Sequence, residues 1–166
     1  MNSWLYGRIE VRAKLPKGHG LWPAIWMLPT DNEYGGWPTS GEIDIMEGRG
    51  GETGAFIGSL HYGEAWPNNK HTSSGKVGVS CVEDFSAGFH DYAVVWTPST
   101  MVWLLDGVTF HTMRLDGMGF GGLYSAPGQP FDRRFHLVLN LAVGGNFFGS
   151  PALASSDVEL GAWVNG

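Results

Sequence analysis

Three carboxylates crowd the run Gly41-Glu42-Ile43-Asp44-Ile45-Met46-Glu47. On an ideal strand, positions 42, 44 and 46 share one face, while Ile43 and Ile45 point into a core. Glu47 then falls on the core side, where an unpaired carboxylate costs several kcal/mol or neutralises. One extra residue, a β-bulge at Ile45–Met46, returns Glu47 to the face of Glu42 and Asp44. Like charges this close raise at least one pKa, so that one acid keeps its proton while a neighbour is ionised. A proton donor beside a carboxylate nucleophile is the arrangement that hydrolyses glycosidic bonds. The plainer alternative is three acids on a solvated strand face, and the residues around them argue against it.

Trp22, Trp26, Trp37 and Trp66 supply flat apolar rings of the kind on which the C–H faces of sugars stack. For each ring, core packing is the competing role. Arg8 and Arg12 lie on the open face of an alternating segment, where they can pair with the carboxylates or with sugar hydroxyls. Other patterns carry less. Residues 117–122 fit G-x-G-x-x-G, but no helix pattern follows, so a loop is expected rather than a dinucleotide site. The six histidines show no metal-ligand spacing, so no metal site is expected. No serine sits in a G-x-S-x-G elbow. The single cysteine, Cys81, excludes an internal disulfide and reads as a buried structural thiol.

The elements that must position these residues are strands. Tyr6–Leu15 alternates Ile9, Val11, Ala13 and Leu15 against Arg8, Glu10 and Arg12, as a half-buried strand does. Leu21–Leu28 is apolar on both faces. Further strands are expected at Glu42–Glu47, Ala55–Tyr62, His90–Thr97, Met101–Asp106, Val108–Leu115 and Phe135–Val143. The pair Asp106-Gly107 makes a hairpin of Met101–Asp106 and Val108–Leu115. No segment holds a helical period beyond two turns, and 26 glycines are roughly twice the average share of ~7%. The expected fold is all-β, an antiparallel sandwich.

The 166 residues are about one domain's worth, and neither a linker nor a repeat divides them. A charged share of 16% with 43% hydrophobic residues excludes a disordered chain. A net charge of −6 argues against nucleic acid as a partner. The longest apolar stretch, Leu21–Pro29, is far short of the ~20 residues of a membrane span, so no membrane partner is expected. Eight tryptophans exceed what such a core needs, which leaves some to face a ligand.

Three segments carry a resemblance: Tyr6-Gly-Arg-Ile-Glu-Val-Arg-Ala-Lys-Leu-Pro16, Gly20-Leu-Trp-Pro-Ala-Ile-Trp-Met-Leu-Pro29 and Gly41–Glu47. Leu60-His-Tyr-Gly63, Trp66-Pro67, Phe89-His-Asp-Tyr92 and Asn140-Leu-Ala-Val-Gly-Gly145 continue it in the same order. Together they resemble the laminarinase-like branch of glycoside hydrolase family 16. The resemblance implies a jelly-roll sandwich of concanavalin A-like type with a concave substrate cleft. It implies retaining endo-hydrolysis of β-1,3-glucan, with mixed β-1,3/1,4-glucan as a further substrate. A non-catalytic β-glucan-binding module and a galactan hydrolase of the same fold are the alternatives. Such modules usually lose the carboxylates, and this chain keeps all three.

By that resemblance Glu42 matches the nucleophile, Glu47 the acid/base and Asp44 the assisting carboxylate. Trp22 and Trp26 fall in a cleft-lining motif, with His61 and Trp66 near it; Trp37 and Arg12 complete the expected substrate-binding set. Phe147-Phe148 stands where a Trp-Pro-like pair is expected, and Val95 where an acidic residue is. Family members run on by strands before the Tyr6 segment and after the end of this chain. A single hydrolase domain over 1–166, truncated at both ends, is therefore expected, with the family's calcium site lost and no cofactor. The expected partner is a β-glucan polysaccharide, and the expected location extracellular or periplasmic, although the N-terminus shows no signal peptide.

Overall fold

A computed structural model of the protein describes residues 2–78, 84–116 and 123–149. Cys81, the glycine-rich run 117–122 and residues 152–166 lie outside the described residues.

The described residues form nine strands: β1 (Gly7–Ala13), β2 (Leu21–Pro29), β3 (Glu42–Gly48), β4 (Phe56–Gly63), β5 (Asn69–Ser73), β6 (His90–Trp96), β7 (Thr100–Leu105), β8 (Val108–Arg114) and β9 (Phe135–Val143). They build two antiparallel sheets, one ordered β5-β4-β3-β2-β9 and the other β1-β6-β7-β8. The architecture is a jelly-roll β-sandwich. Asp106 and Gly107, both at positive φ, turn β7 into β8 as the Asp-Gly pair requires. No helix among the described residues is long and apolar enough to cross a membrane.

The core lies between the sheets. Ile25 and Met27 of β2, Ile43, Ile45 and Met46 of β3, and Phe56 and Leu60 of β4 pack with Tyr92, Val94, Trp96, Met101 and Trp103 of the second sheet. Burying side chains of this size contributes roughly 1.5–3 kcal/mol each. Alternation then turns the other side chains of β2, β3 and β9 to the outer face of the five-stranded sheet, where the site is built.

Two features depart from the sequence expectations. The strand β5 was not anticipated, because Asn-Lys-His-Thr-Ser has no apolar alternation. It is an edge strand without a buried residue, held by its antiparallel ladder to β4. Arg12 was expected in the substrate-binding set, pairing with the carboxylates or with sugar hydroxyls, but β1 belongs to the other sheet, whose outer face looks away from the carboxylates. Since Ile9 faces the core, Arg8 and Arg12 face solvent on that side. Arg12 pairs with Asp91 of β6 at 3.2 Å, and Arg8 pairs with Glu10.

Candidate active site

The carboxylates reach one face through a bulge in β3. Against β2, Trp26 pairs with Asp44 and Ile25 with Met46, which skips one residue of β3. Against β4, Asp44 pairs with Ser59 and Glu47 with Ile57, so Ile45 and Met46 together oppose Gly58. Both bulge side chains are buried in the core, at 1% and 0% exposure, and Glu47 is returned to the cleft. Such a bulge interrupts the ladder, and here the other sheet helps to satisfy it. The Trp103 indole N–H donates to the Asp44 carbonyl at 2.9 Å. Gly58 makes room for that indole, since a Cβ there would stand 2.7 Å from Trp103 Cδ1. At the start of the strand, Gly41 has φ +91°, and Phe131, Phe135 and Pro130 crowd the place of a Cβ.

Each of the two outer carboxylates takes one indole N–H. Trp37 Nε1 donates to Glu42 Oε2 at 2.7 Å, and Trp22 Nε1 donates to Glu47 Oε1 at 3.2 Å. His61, directly opposite Glu42 in the β3–β4 ladder, sets Nε2 3.9 Å from Glu42 Oε1 and 3.3 Å from Asp44 Oδ2. Glu42, Asp44 and His61 form the group of donor atoms that could hold a cation among the described residues.

All three carboxyl groups are held above their ordinary range. Burial first, then the charge of Asp44, pushes Glu42 up to about 7. Burial first, then the charge of Glu47, pushes Asp44 well above the usual aspartate range. Glu47 is raised by burial and by Glu42, while His61, Trp22 and Arg49 pull against the rise. Glu42 and Asp44 titrate as a pair that shares one proton. Asp44 is the more deeply buried, 3% exposed against 14% for Glu42, while Glu42 accepts an indole N–H that favours its charged form.

The cleft consists of two adjoining cavities. One, of about 260 Å³, is lined by all three carboxylates with Trp22, Ala24, Trp26, Asn140 and Ala142. The other, of about 490 Å³, continues past Trp26 and Glu42 to Trp37, Ser40 and His136. Trp37 is held there by its loop, in which Ser40 Oγ accepts from the Tyr34 N–H and donates to the Gly35 carbonyl. Of the expected substrate-binding residues, Trp22, Trp26, Trp37 and His61 gather at the carboxylates. Trp66 stands 72% exposed in the turn between β4 and β5 and lines neither cavity. Arg12 lies on the other sheet.

Residues given no role at the cleft from the sequence also contribute. Asn140 accepts from Trp26 Nε1 at 2.7 Å and, with His136 and Ala142, belongs to the cleft face of β9. The alternation of Phe135–Val143 was the signal that could have found them. Phe147 stacks on Trp22 at 4.6 Å and 12°, and the Arg49 guanidinium lies 4.1 Å from the Phe147 ring. One face of Trp22 is therefore covered by protein, and its indole serves as a donor to Glu47. Nothing in the local sequence signals that stack.

Residues 1–138 match the model of Glycosyl hydrolases family 16. A glucan endo-1,3-beta-glucosidase of Cryptopygus antarcticus is 49% identical over 160 residues, 95% of this chain and 57% of that protein. A glucan endo-1,3-beta-glucosidase A1 of Niallia circulans is 43% identical over 156 residues, 94% of this chain and 23% of its own length. The solved structure of the laminarinase from Rhodothermus marinus superposes with a TM-score of 0.76 at 34% identity, covering 95% of this chain and 62% of that one. The chain thus spans just over half the length of the Cryptopygus protein and a smaller part of the Niallia protein.

Proposed function

The chain belongs to glycosyl hydrolase family 16, and from that premise we propose that it cleaves internal β-1,3-glucosidic bonds of laminarin-like glucans with retention at the anomeric carbon. The observation that carries this reading is the bulged strand β3, which turns Glu42, Asp44 and Glu47 into one indole-lined cavity. The similarity to two glucan endo-1,3-beta-glucosidases supports the substrate class, and mixed β-1,3/1,4-glucan is the further candidate. A polymer of this kind is met outside the cytoplasm, which is where the enzyme would act.

In the first step Glu42 attacks the anomeric carbon as the bond to the leaving oxygen breaks, and Glu47 gives its proton to that oxygen. With the proton of the Glu42–Asp44 pair on Asp44, Glu42 is charged and oriented for attack. Forming the glycosyl ester removes the negative charge of Glu42, which is one of the causes holding Glu47 high. Glu47 thereby becomes the stronger acid and, once deprotonated, the base that takes a proton from water. Water then attacks the anomeric carbon, the bond to Glu42 breaks, and the proton returns the site to its starting state. The chemistry needs protein carboxyl groups and no cofactor.

The test is to incubate the chain with laminarin, lichenan and agarose while following anomeric protons by NMR. Laminarin should release oligosaccharides whose new ends appear first as the β-anomer. Glu42→Gln should lower kcat by about 10⁴-fold or more, the scale on which loss of a covalent nucleophile acts, with laminarin still bound. An α-anomer appearing first would rule out retention. Laminarin bound but uncleaved by the parent chain would leave a glucan-binding module, and cleavage confined to agarose a galactan hydrolase.

A further inference from the structure

We propose that Glu42, Asp44 and His61 form a reversible binding site for a borderline transition-metal dication, Zn2+ or Cu2+, whose occupancy excludes glucan from the cleft. The donor atoms are already assembled: one from each residue, all within 4.8 Å of one another. Ligands at ~2.0–2.2 Å in a tetrahedral zinc site stand roughly 3.3–3.5 Å apart. His61 Nε2 and Asp44 Oδ2 are at 3.3 Å, and Glu42 Oε1 lies 3.9 Å from the same nitrogen. A shift of the Glu42 side chain toward the other two, by no more than about 1.5 Å from the 4.8 Å that bounds the group, completes the set.

A second observation points into the same place. Asp44 Oδ2 is buried without a hydrogen-bond partner, although His61 Nε2 stands close by. An acceptor left unsatisfied in a buried position costs about 1–3 kcal/mol, and more when charged. A cation at this point would satisfy it and offset the crowding of three carboxylates that His61, Arg49 and the two indole donors relieve only in part. The site opens on the cleft, since Glu42 lines both cavities, so an ion has a path in.

The donor set also chooses the ion. An imidazole with two carboxylates suits zinc and copper, whereas calcium and magnesium take six or more oxygen ligands or retain their waters. Reversibility follows from the far side of the ring. A metal on Nε2 requires the proton on Nδ1, and His61 Nδ1 is buried with no acceptor. Resident metal sites almost always orient that N–H with a carbonyl or carboxylate. This site lacks the partner, so the ion exchanges rather than stays.

Binding is independent of the proposed hydrolysis, and only its inhibitory consequence rests on that reading. Zn2+ titrated calorimetrically into the full chain at neutral pH, without glucan, should saturate at one ion per chain. Mg2+ and Ca2+ should give no saturating heat. Asp44→Asn and His61→Ala should each weaken Zn2+ by about tenfold or more, given that even outer-shell partners are worth ~10–100-fold. His71→Ala, which removes the ring stacked on His61, should leave the affinity unchanged. In the unsubstituted chain, imidazole 15N spectra should show His61 Nε2 shifting as Zn2+ is added, a readout that survives any variant's failure to fold. Zn2+ bound with His61 Nε2 unmoved, or with unchanged affinity in His61→Ala, overturns the proposal. A chain that binds Zn2+ as described but releases nothing from laminarin sinks the hydrolase reading and leaves the metal site standing. In an active chain, Zn2+ should raise the apparent KM for laminarin without lowering kcat, and a chelator should reverse it.

Discussion

Burial raises the Glu42 carboxyl to about 7, and the charge of Asp44 adds to the rise. A raised carboxyl binds its proton more tightly in the folded state. Its stabilising contribution is therefore complete below the unfolded value of 4.5 and is lost as pH climbs through about 7. Glu42→Gln removes that loss. The variant should match the parent near pH 4.5 and exceed it above about pH 7, by on the order of 1–3 kcal/mol at ~1.4 kcal/mol per tenfold in proton affinity. Thermal unfolding at both ends of that range checks it, and equal melting shifts at both would contradict the burial argument. The proposed nucleophile is thus also a group whose removal should stabilise the fold. Trp22 bears on the other limb. Its N–H favours charged Glu47, so Trp22→Phe, which keeps a ring against Phe147, should let Glu47 hold its proton to higher pH. The alkaline limb of kcat/KM on laminarin should move upward, and an unmoved limb would show that the indole does not tune Glu47.

At the scale of the element, the bulge of β3 is a joint product of three strands. Its extra residue comes from β3, the space opposite it from Gly58 of β4, and the donor for the Asp44 carbonyl from Trp103 of β7. Gly58→Ala brings a methyl group within 2.7 Å of Trp103 Cδ1, closer than real Cβ contacts come. Relief requires the indole or the bulge to move. Gly58→Ala should destabilise the fold by about 1–3 kcal/mol, the range for overpacking a core. It should also lower kcat more than it raises KM, because Glu47 is displaced relative to Glu42. Destabilisation with unchanged kcat would mean that the bulge holds its register without the indole. Trp103→Phe is the companion: it keeps an aromatic ring, removes the donor and leaves a buried carbonyl short of a partner.

Across the whole molecule, the five-stranded sheet is covered unevenly. Leu139 and Val143 of β9 point to the same side as Ile25 and Leu21 of β2, with which they pair, yet they are 57% and 56% exposed. Apart from a bridge from Trp4 to Phe135, no described residue pairs with the outer edge of β9. An apolar row beside unpaired backbone groups is a template for association. The chain should sediment with a concentration-dependent mass, and Leu139→Lys with Val143→Lys should return it toward the monomer; a parent chain that is monomeric throughout would refute this. Uncovered edges were expected from the sequence, but not that β9 would carry them, because Phe135–Val143 reads as an ordinary strand. What the sequence determined by itself was local and periodic. The alternation of Gly41–Glu47 forces a bulge, because Glu47 cannot otherwise leave the core, and Asp106-Gly107 forces a hairpin. The polar strand β5 was invisible to the same reasoning, since its only specification is a ladder to β4. The tertiary structure alone decided which charged face met the carboxylates. Arg12 alternates as the sequence requires, but strand order assigned β1 to the other sheet and gave His61 and two indoles the place opposite Glu42 and Glu47. Alternation fixes the side of a strand to which a residue points; only the packing of sheets fixes what lies on that side.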